Sequence, residues 1–102
     1  MMDLHILQHS QDIMMLSNKE WESGSWSIDE NKAKELVGGE IYFHEKQQEP
    51  SFFGGIITGY RIEQDEQNKA RIVFSLRYTA KCRNVKTEKQ GWAKKMKIIS
   101  HD

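Results

Sequence analysis

Five side chains of this sequence could wall a pocket for a flat ligand: Trp21, Trp26, Tyr42, His44 and Trp92. An unpaired or flipped base needs aromatic faces to stack on and polar groups to read its edge. Trp21 and Trp26 stand in a stretch rich in serine, glycine and glutamate, which offers such polar groups. His44 ends the aromatic run Tyr42-Phe43-His44, where it is placed to donate to a ligand edge. Trp92 follows Gly91 and precedes Lys94, Lys95 and Lys97, an interleaving that suits stacking combined with phosphate neutralisation. Each ring also has a plain structural use, because large aromatics dominate the cores of small domains.

The charges point the same way. Residues 1–66 hold 13 acidic and 5 basic side chains, and residues 67–102 hold 10 basic and 2 acidic ones, so a net charge of zero divides into −8 and +8. Within residues 81–97 lie Lys81, Arg83, Lys86, Lys89, Lys94, Lys95 and Lys97, opposed only by Glu88. The first six are the candidate phosphate-binding residues, since such asymmetry suits a polyanionic partner. Mutual neutralisation of the two halves across the folded surface is the competing account, as is association of two copies through opposite poles. Arg71 and Arg77 could grip a phosphate but are expected to pair with the acidic half.

Other chemistries find little support. No catalytic residues are assigned, because Ser10, Cys82 and the carboxylates form no nucleophile, base and orienting group that spacing reveals. Cys82 is the only cysteine, which excludes an internal disulfide or a zinc site built on cysteines of this chain. Between Lys81 and Arg83 an exposed thiol would ionise more easily, making Cys82 a candidate reactive group. His5 and His9 have the spacing of a helical metal pair but fall in a segment that reads as strand, so no metal and no cofactor are expected. Gly38-Gly39 and Gly54-Gly55 lack the spacing of phosphate loops. No apolar run could span a bilayer, and residues 1–9 lack the features of a secretory signal, so a cytoplasmic protein with no membrane contact is expected.

The elements that must carry these residues follow from apolar spacing. A single α+β domain covers residues 1–102. Alternation predicts strands over 3–9, 40–45, 52–63, 69–79 and 92–99. A short helix is predicted over 10–16 under a Ser10 cap. A second runs from Ser27 or Asp29 to about Val37, with Ile28, Ala33, Leu36 and Val37 inward and Gly38-Gly39 ending it. Residues 17–25 read as a polar loop, and Gly54, Gly55 and Gly59 suggest a bulge or a close backbone approach. Antiparallel strands with early helices suggest a small curled antiparallel or mixed sheet, or an open β-barrel plugged by a helix.

The run LVGGEIYFHEKQQEPSFFGGIITGYRI resembles the core segment of EVE domains, within the PUA-like group that also holds ASCH and YTH domains. Gly39-Glu40, Tyr42-Phe43-His44, Pro50 and Gly55 to Ile62 carry the likeness, and GWAKKMKI (residues 91–98) resembles the family's tryptophan-led last strand. After Trp21 this chain has ESGSW in place of the arginine-asparagine pair usual in that family. The resemblance implies a PUA-like fold and binding of RNA or DNA, often at a modified base, in an aromatic pocket. Three functions remain open: a nucleic-acid-binding module, a protein-interaction or homodimerisation domain, and a small-molecule-binding domain of the ASCH type.

Overall fold

A computed structural model describes residues 1–100, and every strand among them joins one mixed sheet. β1 (Met2–Leu7) lies parallel to β4 (Glu40–His44), with Leu4 opposite Ile41 and Ile6 opposite Phe43. β7 (Met96–Ser100) runs antiparallel along the other side of β1. Beyond β4 the sheet continues antiparallel through β5 (Phe53–Gln64), β6 (Ala70–Tyr78) and β3 (Glu20–Trp26). The two-residue β2 (Met14–Met15) ends it, giving the order β2-β3-β6-β5-β4-β1-β7.

One face of this sheet is apolar because its strands alternate in register. Leu4, Ile6, Ile41, Phe43, Ile57, Ile72, Phe74 and Leu76 all lie buried there, covered by Ala33 and Leu36 of α1 (Glu30–Leu36). Each such aliphatic or aromatic side chain contributes about 1.5–3 kcal/mol when fully removed from water. A helix of 7 residues could not stand alone, so α1 exists through that packing. Gly38, at φ +94°, turns the chain out of the helix and donates its N–H to the Ile57 carbonyl at 2.8 Å.

The glycines of β5 mark a close approach of backbones. A Cβ on Gly54 would lie 2.2 Å from the Ile41 carbonyl oxygen, and one on Gly55 would lie 2.0 Å from that of Arg77. β4 and β6 can therefore flank β5 only if both positions lack a side chain. Near Gly59 the ladder to β6 slips between Ile57 and Gly59, the bulge that the glycine spacing suggested.

Four expectations about the elements need correction. Residues 10–16 form only a single 3-10 turn, Ser10–Asp12, with no side-chain cap from residue 9 or 10, before β2 begins. So short a helix gains few internal bonds, and the segment pairs instead with the open edge of β3, where Leu16 and Ser17 both donate to the Glu20 carbonyl. Residues 20–26 are a strand, disguised because their outward and edge positions are polar. Trp92 precedes the last strand: Gly91 (φ +91°) and Lys94 (φ +59°) break extended geometry, and β7 starts only at Met96. Val37, expected inside, is 39% exposed.

The mixed α+β sheet is as expected, but it does not close, so the molecule is not a barrel. Its curl brings β3 near the end of β1, where a Cβ on Gly24 would touch the Gln8 amide at 3.4 Å. No ladder joins β3 to β7. What stands at that unzipped seam is a groove.

Candidate functional site

The groove begins with a slip in β3. Glu22 pairs with Ser75 and Ser25 with Val73, so β3 holds one residue more than β6 across this interval. The Ser23 hydroxyl stabilises the bulge by accepting from the Phe74 N–H at 3.0 Å and donating to the Gly24 carbonyl at 2.7 Å. Side chains alternate along a strand, so an extra residue exchanges the faces beyond it. Trp21 opposes Leu76 and Trp26 opposes Ile72, which places both indoles on the core face although they are five positions apart. Without the bulge Ser25 would occupy the place of Trp26.

Two neighbouring compartments of about 570 Å³ each lie here, and Ser25, Trp26 and Lys95 line both. The inner one lies past the carboxyl ends of the parallel strands β1 and β4, with Gln8, His9, Asp12, Gly24 and Glu45 around it. Crevices at such strand ends are favoured ligand sites in α/β sheets. The outer compartment is bounded by Ser27, Arg71, Ala93, Lys94 and Met96. Polar groups therefore concentrate on the inner side, and apolar and cationic groups on the outer.

Two side chains of the inner compartment are poorly served by the protein. Gln8 is 7% exposed, yet neither its Nε2 nor its Oε1 finds a partner among the described residues. The Trp26 Nε1–H is likewise buried and unpaired. Each orphaned polar group costs about 1–3 kcal/mol of desolvation. Gln8 follows Leu4 and Ile6 on the core side of the first strand, so an amide is carried into the end of an apolar row.

The cationic lip is a tight turn. Ala93 and Met96 exchange backbone hydrogen bonds at 2.8 and 3.2 Å, leaving Lys94 and Lys95 at the tip. The Lys95 carbonyl accepts from the Leu7 N–H at 2.8 Å, and the Lys94 carbonyl accepts from the Gln47 side chain at 2.8 Å. Both lysines are thus fixed in backbone and exposed in side chain. Lys94 is the one non-asparagine residue with positive φ among the described non-glycine residues. Opposite the turn, Asp65 holds Arg71 Nε at 3.2 Å, and among the described residues the two outer guanidinium nitrogens make no hydrogen bond or ion pair. On the inner side His9 and Glu45 pair at 3.1 Å.

A second polar assembly lies on the sheet face opposite the core. His44 donates Nδ1–H to the Glu49 carbonyl at 2.9 Å, which leaves Nε2 to accept from His5 Nδ1–H at 2.8 Å. His5 stacks on Tyr42 at 4.4 Å, and Trp92 meets both imidazoles edge-on, at 6.4 Å from His5 and 5.5 Å from His44. Burial, aided by the neighbouring His44, pulls the His5 pKa down to about 4, and burial lowers that of His44 too. At the head of β4 the Glu40 carboxylate accepts from Tyr42 (2.5 Å), Lys81 (3.1 Å) and the Cys82 thiol (3.4 Å). The Tyr42 bond leads the effects that hold Glu40 below the usual carboxylate range.

The expected pocket residues are therefore dispersed. Trp26 lines the groove. Trp21 packs at the other end of β3 against Phe53 at 4.9 Å. Tyr42, 9% exposed, spends its hydroxyl on Glu40, while His44 is fully buried and spends both ring nitrogens inside the protein. Trp92 covers the histidine pair with its Nε1–H buried and unpaired. None of these four borders the groove, because strand alternation sends Tyr42 and His44 to the opposite face from Trp26.

The expected phosphate contacts divide in the same way. Lys94 and Lys95 line the groove. Lys81 is engaged with Glu40, at the far end of β4 from Glu45. Arg83 donates Nε to the Phe52 carbonyl at 3.2 Å, and Lys86 and Lys89 are exposed on the loop without bordering the groove. Cys82 is fully buried and its pKa is pushed up to about 11, chiefly by desolvation, so it is no reactive thiol. Arg71 pairs with Asp65 as expected and also reaches the site.

Sequence reasoning missed Gln8, Gly24 and Ser25. The one usable signal was Gln8 itself, an amide continuing the Leu4, Ile6 alternation. Among the described residues no group of three or more His, Cys, Asp or Glu side chains could hold a metal ion, and no helix is long and apolar enough to cross a membrane. Comparison with protein-family models, with curated proteins and with solved structures finds no match.

Proposed function

We propose that the chain is a nucleic-acid-binding module whose seam groove receives an unpaired base. The observation that carries this reading is the convergence of two buried, unpartnered polar side chains, Gln8 and Trp26, beneath a turn that fixes two lysines. Trp26 supplies a stacking wall, and its Nε1–H offers a donor. The Gln8 amide turns toward the ligand as the base enters, because only there can both its donor and its acceptor be satisfied. The Watson–Crick edge of every base presents a donor beside an acceptor, the complement of an amide. Lys94 and Lys95 neutralise phosphate, while Asp12 and Glu45 on the inner side disfavour a second phosphate strand. Of the cations in residues 81–97 only Lys81 forms an ion pair among the described residues, so the others keep their ammonium and guanidinium groups available for phosphate. The resemblance to EVE and other PUA-like domains in residues 36–63 and 91–99 favours the same reading by analogy of fold alone.

Fluorescence anisotropy with labelled single-stranded RNA and DNA, compared with a duplex, tests it. Two lysine contacts predict a logarithmic salt slope of about −1.4 on a single strand, and loss of most affinity in Trp26→Ala. Absence of binding to every oligonucleotide at low salt would refute the reading. A salt-sensitive self-association in that case would replace it with homodimerisation.

A further inference from the structure

We infer that the groove takes two consecutive nucleotides of one strand, the first read in the inner compartment and the second stacked in the outer. This rests on the nucleic-acid reading above and specifies its ligand. The two compartments are equal in volume, at about 570 Å³, and meet at Trp26, Ser25 and Lys95. Each exceeds what a single base fills, so a mononucleotide occupies one and leaves the other to solvent.

Their linings differ in kind, and that assigns the roles. The inner compartment holds the orphaned Gln8 amide, which can pair with any base, beside Asp12 and Glu45, whose carboxylates only accept and so favour an edge rich in donors. The outer compartment has Ala93 and Met96, whose apolar surfaces accept any base face, and Arg71, whose outer guanidinium nitrogens suit a phosphate or a stacked ring. Lys95 lines both, which puts a cationic side chain beside the junction that the phosphate linking two nucleotides must pass. Trp26 lines both compartments, so its indole is available to each. A duplex cannot use this arrangement, since its bases are stacked on one another and closed to an indole wall.

The experiment compares a mononucleotide, the corresponding dinucleotide and a short single strand by calorimetry, over all four bases at the first position. A stacked second base should raise affinity by about tenfold, with preference among bases expressed at one position only. Ala93→Glu, an exposed substitution that puts a carboxylate in the outer compartment, should abolish the advantage of the dinucleotide, and Met96→Ala should reduce it. Gln8→Leu should weaken both ligands. Equal affinity for mononucleotide and dinucleotide would overturn this inference while leaving a one-base site standing. No binding by any of the three would overturn the nucleic-acid reading itself. Equal competition by inorganic polyphosphate, which has no base, would also overturn the two-nucleotide assignment.

Discussion

His5 Nδ1 lies 2.8 Å from His44 Nε2, and the second nitrogen of His44 already donates to the Glu49 carbonyl. This arrangement requires a neutral His44, because a proton on its Nε2 would place two N–H groups face to face.

Acid stability follows from the burial of both rings. The unfolded chain protonates histidine near 6.5, whereas His5 in the fold does so only near 4. Between those values the unfolded state binds more protons, so stability falls as pH drops from 6.5 toward 4 and is level above 6.5. His5 alone can account for about 3 kcal/mol at the bottom of the window, and His44 acts in the same direction. Urea denaturation across this range measures the loss, and His5→Gln should flatten most of the slope. A stability independent of pH in wild type would contradict the buried pair.

Cys82 gives a prediction opposite to the one its neighbours suggest. Lys81 and Arg83 flank it in sequence, but its thiol points inward, fully buried, toward Glu40 and Thr79. Thiolate is the reacting form, and a pKa near 11 leaves almost none at neutral pH. Labelling by a thiol reagent should be slower than in the unfolded chain by at least about 100-fold, tracking opening of the structure. Labelling at the unfolded rate would show that the 3-10 turn Ala80–Cys82 does not pack as described.

How far the sequence revealed this molecule depended on whether a feature was local. The strong alternation of Ile72, Phe74 and Leu76 located β6 to within a residue at each end, and Gly38-Gly39 marked the end of α1. The strand Glu20–Trp26 was hidden because its partner β6 lies some fifty residues away and its own pattern is interrupted by a bulge. For the same reason the aromatics could be recognised as important but not sorted. Tyr42 and Trp26 take opposite faces only once the ladder registers are known. Of the eleven residues expected to touch ligand, Trp26, Lys94 and Lys95 border the groove. Gln8 is special through what it lacks among the described residues, and a missing partner is visible only in three dimensions.

Lys94 should show stability and binding moving in opposite directions. Its φ of +59° is costly for a residue with a Cβ and nearly free for glycine. Lys94→Gly should stabilise the fold by about 0.5–1 kcal/mol while reducing the salt slope of oligonucleotide binding by about 0.7. Lys94→Ala keeps the strained backbone and removes only the charge, so it should lose binding without gaining stability. Thermal denaturation and salt titration of the pair separate backbone from charge. Unchanged salt dependence in both variants would remove Lys94 from the binding surface.

Gln8→Leu makes the sharpest demand on the proposed site. Leucine nearly matches glutamine in volume and would extend the buried row of Leu4 and Ile6. It also removes two polar atoms that have no protein partner, whose desolvation costs about 1–3 kcal/mol. A residue kept for packing would be damaged by this change, whereas one kept for a ligand would not. The expected result is a protein more stable by about 1 kcal/mol that binds single strands about tenfold more weakly. Denaturation midpoints and anisotropy on the same sample check both halves. A destabilised variant with unaltered affinity would mean that the amide serves the fold, and the groove would lose its reading group.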